Sequence, residues 1–91
     1  MKIGRVIGSV WATAKDETLE GRKILLVRPV GLAGEPRGEA YLAVDTVDAG
    51  AGDRVLVVDE GASAGQVLEL DNPPIRTAIV GVIDEVRVEP D

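Results

Sequence analysis

The sequence predicts a small all-β domain of five strands that form an open or closed barrel. Val and Ile are abundant, and such β-branched residues favour strands because they fit a pleated, half-buried surface. They occur in short clusters separated by Gly, Pro and Asp, as expected for strands joined by turns. A chain of 91 residues has the length of one domain, so we expect residues 1–91 to form a single unit.

The strands follow one another along the chain, at residues 2–13, 22–30, 40–44, 54–58 and 77–88. Turn-forming residues dominate 31–38, 45–53 and 71–74, and residues 61–66 are predicted to hold one short helical turn. In the first strand, alternation places Ile3, Ile7 and Trp11 on one face and Val6, Val10 and Ala12 on the other.

Three glycines interrupt these strand patterns, namely Gly4, Gly8 and Gly81. A glycine inside a strand is typical of a bulge, a barrel corner or a close approach of two backbones. A small barrel needs such positions in order to close. The alternative is that they are weak points in ordinary strands.

The second, fourth and fifth strands are apolar on both faces, which one small core cannot cover. A domain of this size buries only about 60% of the surface of its unfolded chain. The sequence has neither Cys nor His, which excludes disulfides and the common zinc ligand sets. We therefore expect association with other subunits to cover the second face.

Charge and composition exclude several function classes. A net charge of −6 and only two aromatic residues do not suit a phosphate backbone or a base-stacking surface. No apolar run approaches the roughly 20 residues that span a membrane, and the N-terminus lacks the apolar core of a secretion signal. We expect a soluble cytoplasmic protein that binds no nucleic acid and no membrane.

The sequence also offers no catalytic group. Without His the commonest general base is absent, and neither serine has a visible base. The acidic pairs 59–60 and 84–85 are adjacent in strands, where neighbouring side chains point to opposite faces, so they are predicted to be solvated strand ends. Asp45 and Asp48 lack the spacing of a calcium site and are predicted to stabilise a turn. We predict a non-enzyme without metal or cofactor.

A series of segments occurs in an order and spacing that are fairly specific in combination: residues 1–15 (MKIGRVIGSVWATAK), 19–29 (LEGRKILLVRP), 43–53 (AVDTVDAGAGD), 54–58 (RVLVV), 61–64 (GASA) and 78–84 (AIVGVID). Together they cover nearly the whole chain. They resemble the bacterial microcompartment vertex proteins, a family that includes carboxysome and ethanolamine-utilisation types. The resemblance implies a five-stranded oligonucleotide-binding-type (OB-like) barrel with one short helical turn. It further implies a homopentamer that caps the five-fold vertices of an icosahedral shell, among hexameric shell proteins.

Two sites are implied by this resemblance. The first is the loop that resembles the family's Gly-Ala-Gly-x-Gly-Glu stretch, which looks toward neighbouring hexamers; it comprises Asp48, Ala49, Gly50, Ala51, Gly52 and Asp53. Its small residues would let two backbones approach closely, whereas the alternative is a plain turn between strands. The second site would lie near the narrow five-fold pore and comprises Gly61, Ala62 and Ser63.

The sequence departs from the family's pattern at three positions. Asp48 replaces Gly, Asp53 replaces Glu with its charge retained, and Arg76 replaces an Asp that family members often carry. Two alternatives remain open. Residues 52–57 (GDRVLV) also resemble a strand of co-chaperonin ring subunits, although loop 31–38 is too short for their mobile loop. The other alternative is an isolated OB-type binding module.

Overall fold

Five strands close into a barrel. The computed structural model describes residues 1–10, 22–59 and 75–90. The strands are β1 (Lys2–Val10), β2 (Lys23–Pro29), β3 (Tyr41–Asp45), β4 (Arg54–Val58) and β5 (Ala78–Val82). Their order around the barrel is β1-β2-β3-β5-β4, and every pair is antiparallel except β3–β5. The predicted five-stranded OB-like barrel is confirmed, and the barrel is closed rather than open.

The core lies inside this barrel and consists of small and medium aliphatic side chains. On β2, Leu25 and Val27 are buried, whereas Ile24 and Leu26 alternate with them and are half-buried on the outside. The other members of the central cluster are Val6, Ala43, Ala49, Val55, Val57 and Ile79. The prediction that some strands carry apolar residues on both faces is confirmed for the described part of the chain.

One strand is shorter than predicted. The sequence pattern extends the fifth strand to residue 88, but β5 ends at Val82. The last backbone hydrogen bond along this edge joins the Ile83 amide to the Arg54 carbonyl, at the first residue of β4. Beyond it β4 offers no partner, and β-branched residues without a partner strand do not form a ladder. The predicted helical turn at 61–66 and residues 11–13 of the first predicted strand lie outside the described residues.

A bulge in β1 changes which residues face the core. Val6 pairs with Val27, but Gly8 pairs with Leu26, so one additional residue is inserted between them. Ile7, next to the buried Val6, is 43% exposed as alternation requires, whereas the additional residue turns Val10 outward with 36% exposure. The prediction that Val6 and Val10 share one face is wrong, because simple alternation does not survive a bulge.

Glycines occupy the positions where the barrel demands them. A Cβ on Gly4 would lie 2.3 Å from Val27 Cγ1, so two strands approach too closely for any side chain there. Gly8 adjoins the β1 bulge, and Gly81 pairs with Leu56 where the β4–β5 register shifts. The prediction of bulges and close approach at these glycines is confirmed. Nowhere in the described residues is there a helix long and apolar enough to cross a membrane.

Candidate functional site

The six residues of the first predicted site form one short connection between β3 and β4. Asp48, Ala51 and Gly52 are exposed, whereas Ala49 is fully buried and belongs to the core cluster. The remaining two, Gly50 and Asp53, are half-buried. We call residues 46–53 the contact loop. The structure thus brings all six residues together in one loop, and three of them form the exposed surface of that loop.

Asp45, the last residue of β3, anchors the start of the contact loop. Its side chain is only 1% exposed, and its carboxylate accepts hydrogen bonds from the amides of Val47 (3.0 Å) and Ala49 (2.8 Å). Hydrogen bonds to a charged acceptor are roughly twice as strong as neutral ones. The predicted turn-stabilising role is therefore confirmed for Asp45. In the described ranges there is no cluster of acidic residues that could hold a metal ion.

Lys23 ties the same loop to a different strand. It is the first residue of β2 and pairs in register with Asp45 on β3. Its Nζ donates hydrogen bonds to Asp48 Oδ1 (3.0 Å) and to the Ala49 carbonyl (2.6 Å), and it lies 3.5 Å from Asp45 Oδ2. The hydrogen bond to Asp48 raises the pKa of Lys23, and the charges of both aspartates add to this. Sequence reasoning missed Lys23, because only the strand register places it beside the loop.

Asp48 adopts a left-handed backbone conformation with φ 57°, and no other non-glycine residue in the described segments has positive φ. Gly is the usual residue there, whereas Asp and Asn tolerate the conformation better than other side chains. This explains how Asp48 stands where the family's pattern has Gly. Its side chain is 96% exposed while one oxygen binds Lys23.

The end of the contact loop is held by β1. The Gly52 amide donates to the Val6 carbonyl (2.8 Å), and the Val6 amide donates to the Asp53 carbonyl (2.9 Å). Asp53 Oδ2 accepts from the Gly50 amide (2.8 Å), and Arg5 Nη1 donates to the Gly52 carbonyl (2.9 Å). Apart from Gly52 itself and its two chain neighbours, no residue has an atom within 4 Å of a Cβ position on Gly52. The loop therefore presents a fixed, open and nearly side-chain-free tip.

The second predicted site cannot be placed in the same way. Gly61, Ala62 and Ser63 lie outside the described residues, so their assignment to a pore stays a prediction. Arg76 is described and lies exposed shortly before β5. Its predicted effect on an interface stays a prediction as well.

Other charged groups lie at strand ends. Asp59, which follows β4, is exposed and lies 3.5 Å from both the N-terminal amine and Lys2 Nζ. Burial acts to raise its pKa, but these two positive charges outweigh that effect and lower it. Asp84 and Glu85 are both exposed, and Glu85 pairs with Arg87. The prediction of solvated acidic strand ends is confirmed for these three described residues.

Tyr41 carries the one polar side-chain atom in the described residues that is buried without a hydrogen-bond partner, its hydroxyl. Lys2 Nζ lies 4.0 Å from the centre of its ring. Burial, with a smaller contribution from the charge of Asp59, raises the pKa of Tyr41 to about 12. The hydroxyl is therefore neutral at physiological pH and is not a candidate base.

Comparison with known proteins places this architecture. A family model described as ethanolamine utilisation protein EutN/carboxysome matches residues 1–84. The microcompartment shell vertex protein GrpN of Rhodospirillum rubrum (strain F11) is 41% identical over 87 residues, which cover 96% of this chain and 97% of GrpN.

Solved structures agree with this result. An ethanolamine utilization protein EutN is similar with a TM-score of 0.88 and 33% identity, covering 97% of this chain and 91% of that one. The pentameric GrpN shell protein is similar with a TM-score of 0.84 and 36% identity, covering 98% of this chain and all of GrpN.

The relatives confirm the prediction of a structural shell role rather than an enzyme, because they are shell vertex proteins. The co-chaperonin and isolated-module alternatives are set aside by the same matches, which extend over nearly the whole barrel. The chain belongs to the EutN/carboxysome family of bacterial microcompartment shell vertex proteins.

Proposed function

We propose that five copies of this chain close into a ring that occupies the five-fold vertices of an icosahedral microcompartment shell in the bacterial cytoplasm. The observation that carries the proposal is the similarity to the pentameric GrpN shell protein, which covers 98% of this chain and all of GrpN. A flat hexagonal layer cannot close without five-fold positions. A cyclic, head-to-tail interface supplies such a position and stops further growth.

The outer surface of the barrel supports a ring. Leu26 on β2 and Leu42 on β3 are paired neighbours, and both point away from the core. Leu42 is 41% exposed. Gly8 lies beside Leu26 on this surface and has no side chain to cover it. A Cβ on Gly8 would lie 3.9 Å from Leu26 Cβ. Burial of this apolar surface between subunits would stabilise a ring that a small core alone supports weakly.

We further propose that the contact loop binds the hexameric shell proteins that surround the vertex. Its exposed tip consists of Ala51 and Gly52, which allow a partner backbone to approach closely. The hydrogen bonds at both ends fix the conformation of the tip before the partner arrives. A surface that is already ordered loses less conformational entropy on binding, which favours a specific contact.

Native mass spectrometry tests the ring. Five subunits of 9.5 kDa give about 47.5 kDa, the mass expected of the closed pentamer. Seven subunits give about 66.5 kDa and would return the co-chaperonin-type ring. A monomer at micromolar concentration would contradict both rings, together with the expectation that the apolar outer face is covered.

A pair of matched substitutions tests the loop. Ala51→Tyr places a large aromatic side chain on the exposed tip, and Ala33→Tyr places the same side chain on the exposed loop 31–38. We expect both variants to keep the pentamer mass and only Ala51→Tyr to lose co-assembly with a hexameric shell protein of the same organism. Normal co-assembly of Ala51→Tyr would contradict the assignment of the contact loop.

A further inference from the structure

We propose that Lys23 is a positioning residue for the contact loop, and that its ion pair with Asp48 holds the loop in the conformation that the shell partner binds. This inference rests on the proposed function of the loop. It adds a residue of β2 that is distant in sequence from the loop. It also assigns a role to Asp48, a position at which the sequence departs from its family's pattern.

The geometry makes Lys23 the meeting point of three acceptors. Its Nζ is 2.6 Å from the Ala49 carbonyl oxygen, 3.0 Å from Asp48 Oδ1 and 3.5 Å from Asp45 Oδ2. An ammonium group has three donors and no acceptor, so it suits three oxygens at once. Because β2 is not connected to the loop by a short turn, this contact fixes the loop against the barrel itself.

The backbone of Asp48 shows why such a contact is needed. A residue with a side chain is disfavoured at φ 57°, whereas Gly adopts this conformation freely. The Lys23 ammonium binds the Asp48 side chain and the next carbonyl in the chain, that of Ala49. Both contacts are made with the loop in this conformation. The ion pair thus offsets the strain that Asp introduces where Gly would be unstrained.

The ion pair is also placed where it acts on binding more than on stability. The Asp48 carboxylate is almost fully exposed, and exposed ion pairs contribute little to folding and are screened by salt. The Asp45 carboxylate also accepts hydrogen bonds from two backbone amides, and these contacts do not involve Lys23. Loss of Lys23 is therefore expected to loosen the loop while the barrel and the ring persist.

Four variants test the proposal, each examined by native mass, by amide hydrogen exchange and by affinity for the hexameric shell protein. Lys23→Met and Asp48→Ala are expected to keep the ring and to weaken hexamer binding about fivefold, with faster exchange of the Ala49 amide. Lys23→Arg retains the charge and is expected to restore most of the affinity. Asp48→Gly removes both the ion pair and the backbone strain, so it is expected to lose less affinity for the hexamer than Asp48→Ala.

Lys2→Met is the matched control. Lys2 pairs with the exposed Asp59 at the opposite end of β4, so its loss removes one lysine charge without touching the contact loop. Hexamer binding by Lys2→Met should equal that of the wild type. Wild-type affinity in both Lys23→Met and Asp48→Ala would overturn the positioning role alone. Failure of the wild-type ring to bind hexamers would overturn the proposed loop contact itself and the inference with it.

Discussion

Gly4 offers the sharpest test of how the barrel is packed. A Cβ added to Gly4 would lie 2.3 Å from Val27 Cγ1, far inside the roughly 3.5–4.0 Å at which two carbon atoms pack. The next neighbours are the Arg28 carbonyl oxygen at 3.2 Å and the Tyr41 hydroxyl at 3.3 Å. Val27 is fully buried and belongs to the core cluster, so a shift of its side chain disturbs the packing of its neighbours. Gly4→Ala should therefore overpack the core, and the main obstacle is one methyl group of Val27.

The magnitudes follow from these contacts. Overpacking of a core costs about 1–3 kcal/mol, and with backbone behind the clash we expect the upper part of this range for Gly4→Ala. Val27→Ala removes two buried methyl groups, which costs about 2 kcal/mol including the cavity. In the double variant the clash disappears and the new methyl fills part of the cavity. The double variant should then lose about 2 kcal/mol, rather than the sum of about 4–5 kcal/mol.

Denaturant unfolding of the four proteins at one fixed concentration measures this cycle, since association would otherwise shift the apparent stability. Gly8→Ala is the control in the same strand, because its Cβ would meet Leu26 Cβ at an ordinary 3.9 Å. We expect Gly8→Ala to change the stability by less than about 0.5 kcal/mol. Additive losses in the Gly4 and Val27 cycle, within about 0.5 kcal/mol, would refute the close contact as the reason for glycine.

Three further predictions concern the charged and polar groups. Tyr41 is the one tyrosine of the chain and should ionise with a midpoint near 12 in an absorbance titration. Its raised pKa stabilises the fold below pH 10, and this stabilisation is lost as the pH rises to about 12. A midpoint near 10 would contradict the burial of Tyr41. Asp45→Asn replaces an acceptor oxygen by a donor, so we expect stability to fall by about 2 kcal/mol and the Ala49 amide to exchange faster. Unchanged exchange would count against Asp45 as the anchor of the contact loop. Asp59 has a lowered pKa, so its ion pairs stabilise the fold above its ordinary pKa of 3.8, and this stabilisation is lost as the pH falls below 3.8. Asp59→Asn should flatten this part of the pH–stability curve. An unaltered curve would argue against the ion pairs.

Much of the fold could be predicted because it depends on local signals. The β-branched clusters located all five strands, and glycines inside them indicated irregular pairing. Two details depended on neighbours that local sequence does not specify. Where β5 ends is decided by the first residue of β4, and which side of β1 Val10 occupies is decided by a bulge that inserts one residue. Strand pairing thus overrides intrinsic β-propensity at both places.

The candidate site was predictable in its position but not in its mechanism. The acidic residues and glycines of 45–53 indicated a turn, and the resemblance indicated a contact surface. Lys23 could not be found, because it lies 22 residues before Asp45 and meets it only through the β2–β3 register. A register is fixed by packing of a whole strand, and a single residue carries no local sign of its cross-strand partner.

The contact loop is best understood as part of the barrel rather than an appendage to it. Val6 lies in the core, and both its amide and its carbonyl bind the backbone of the loop at Asp53 and Gly52. Ala49 of the loop is in turn a member of the core cluster, and the Lys23 ammonium binds its carbonyl. A core substitution that shifts β1 therefore moves the loop as well. For the proposed contact with hexameric shell proteins, this coupling makes the geometry of the contact depend on the rigidity of the fold.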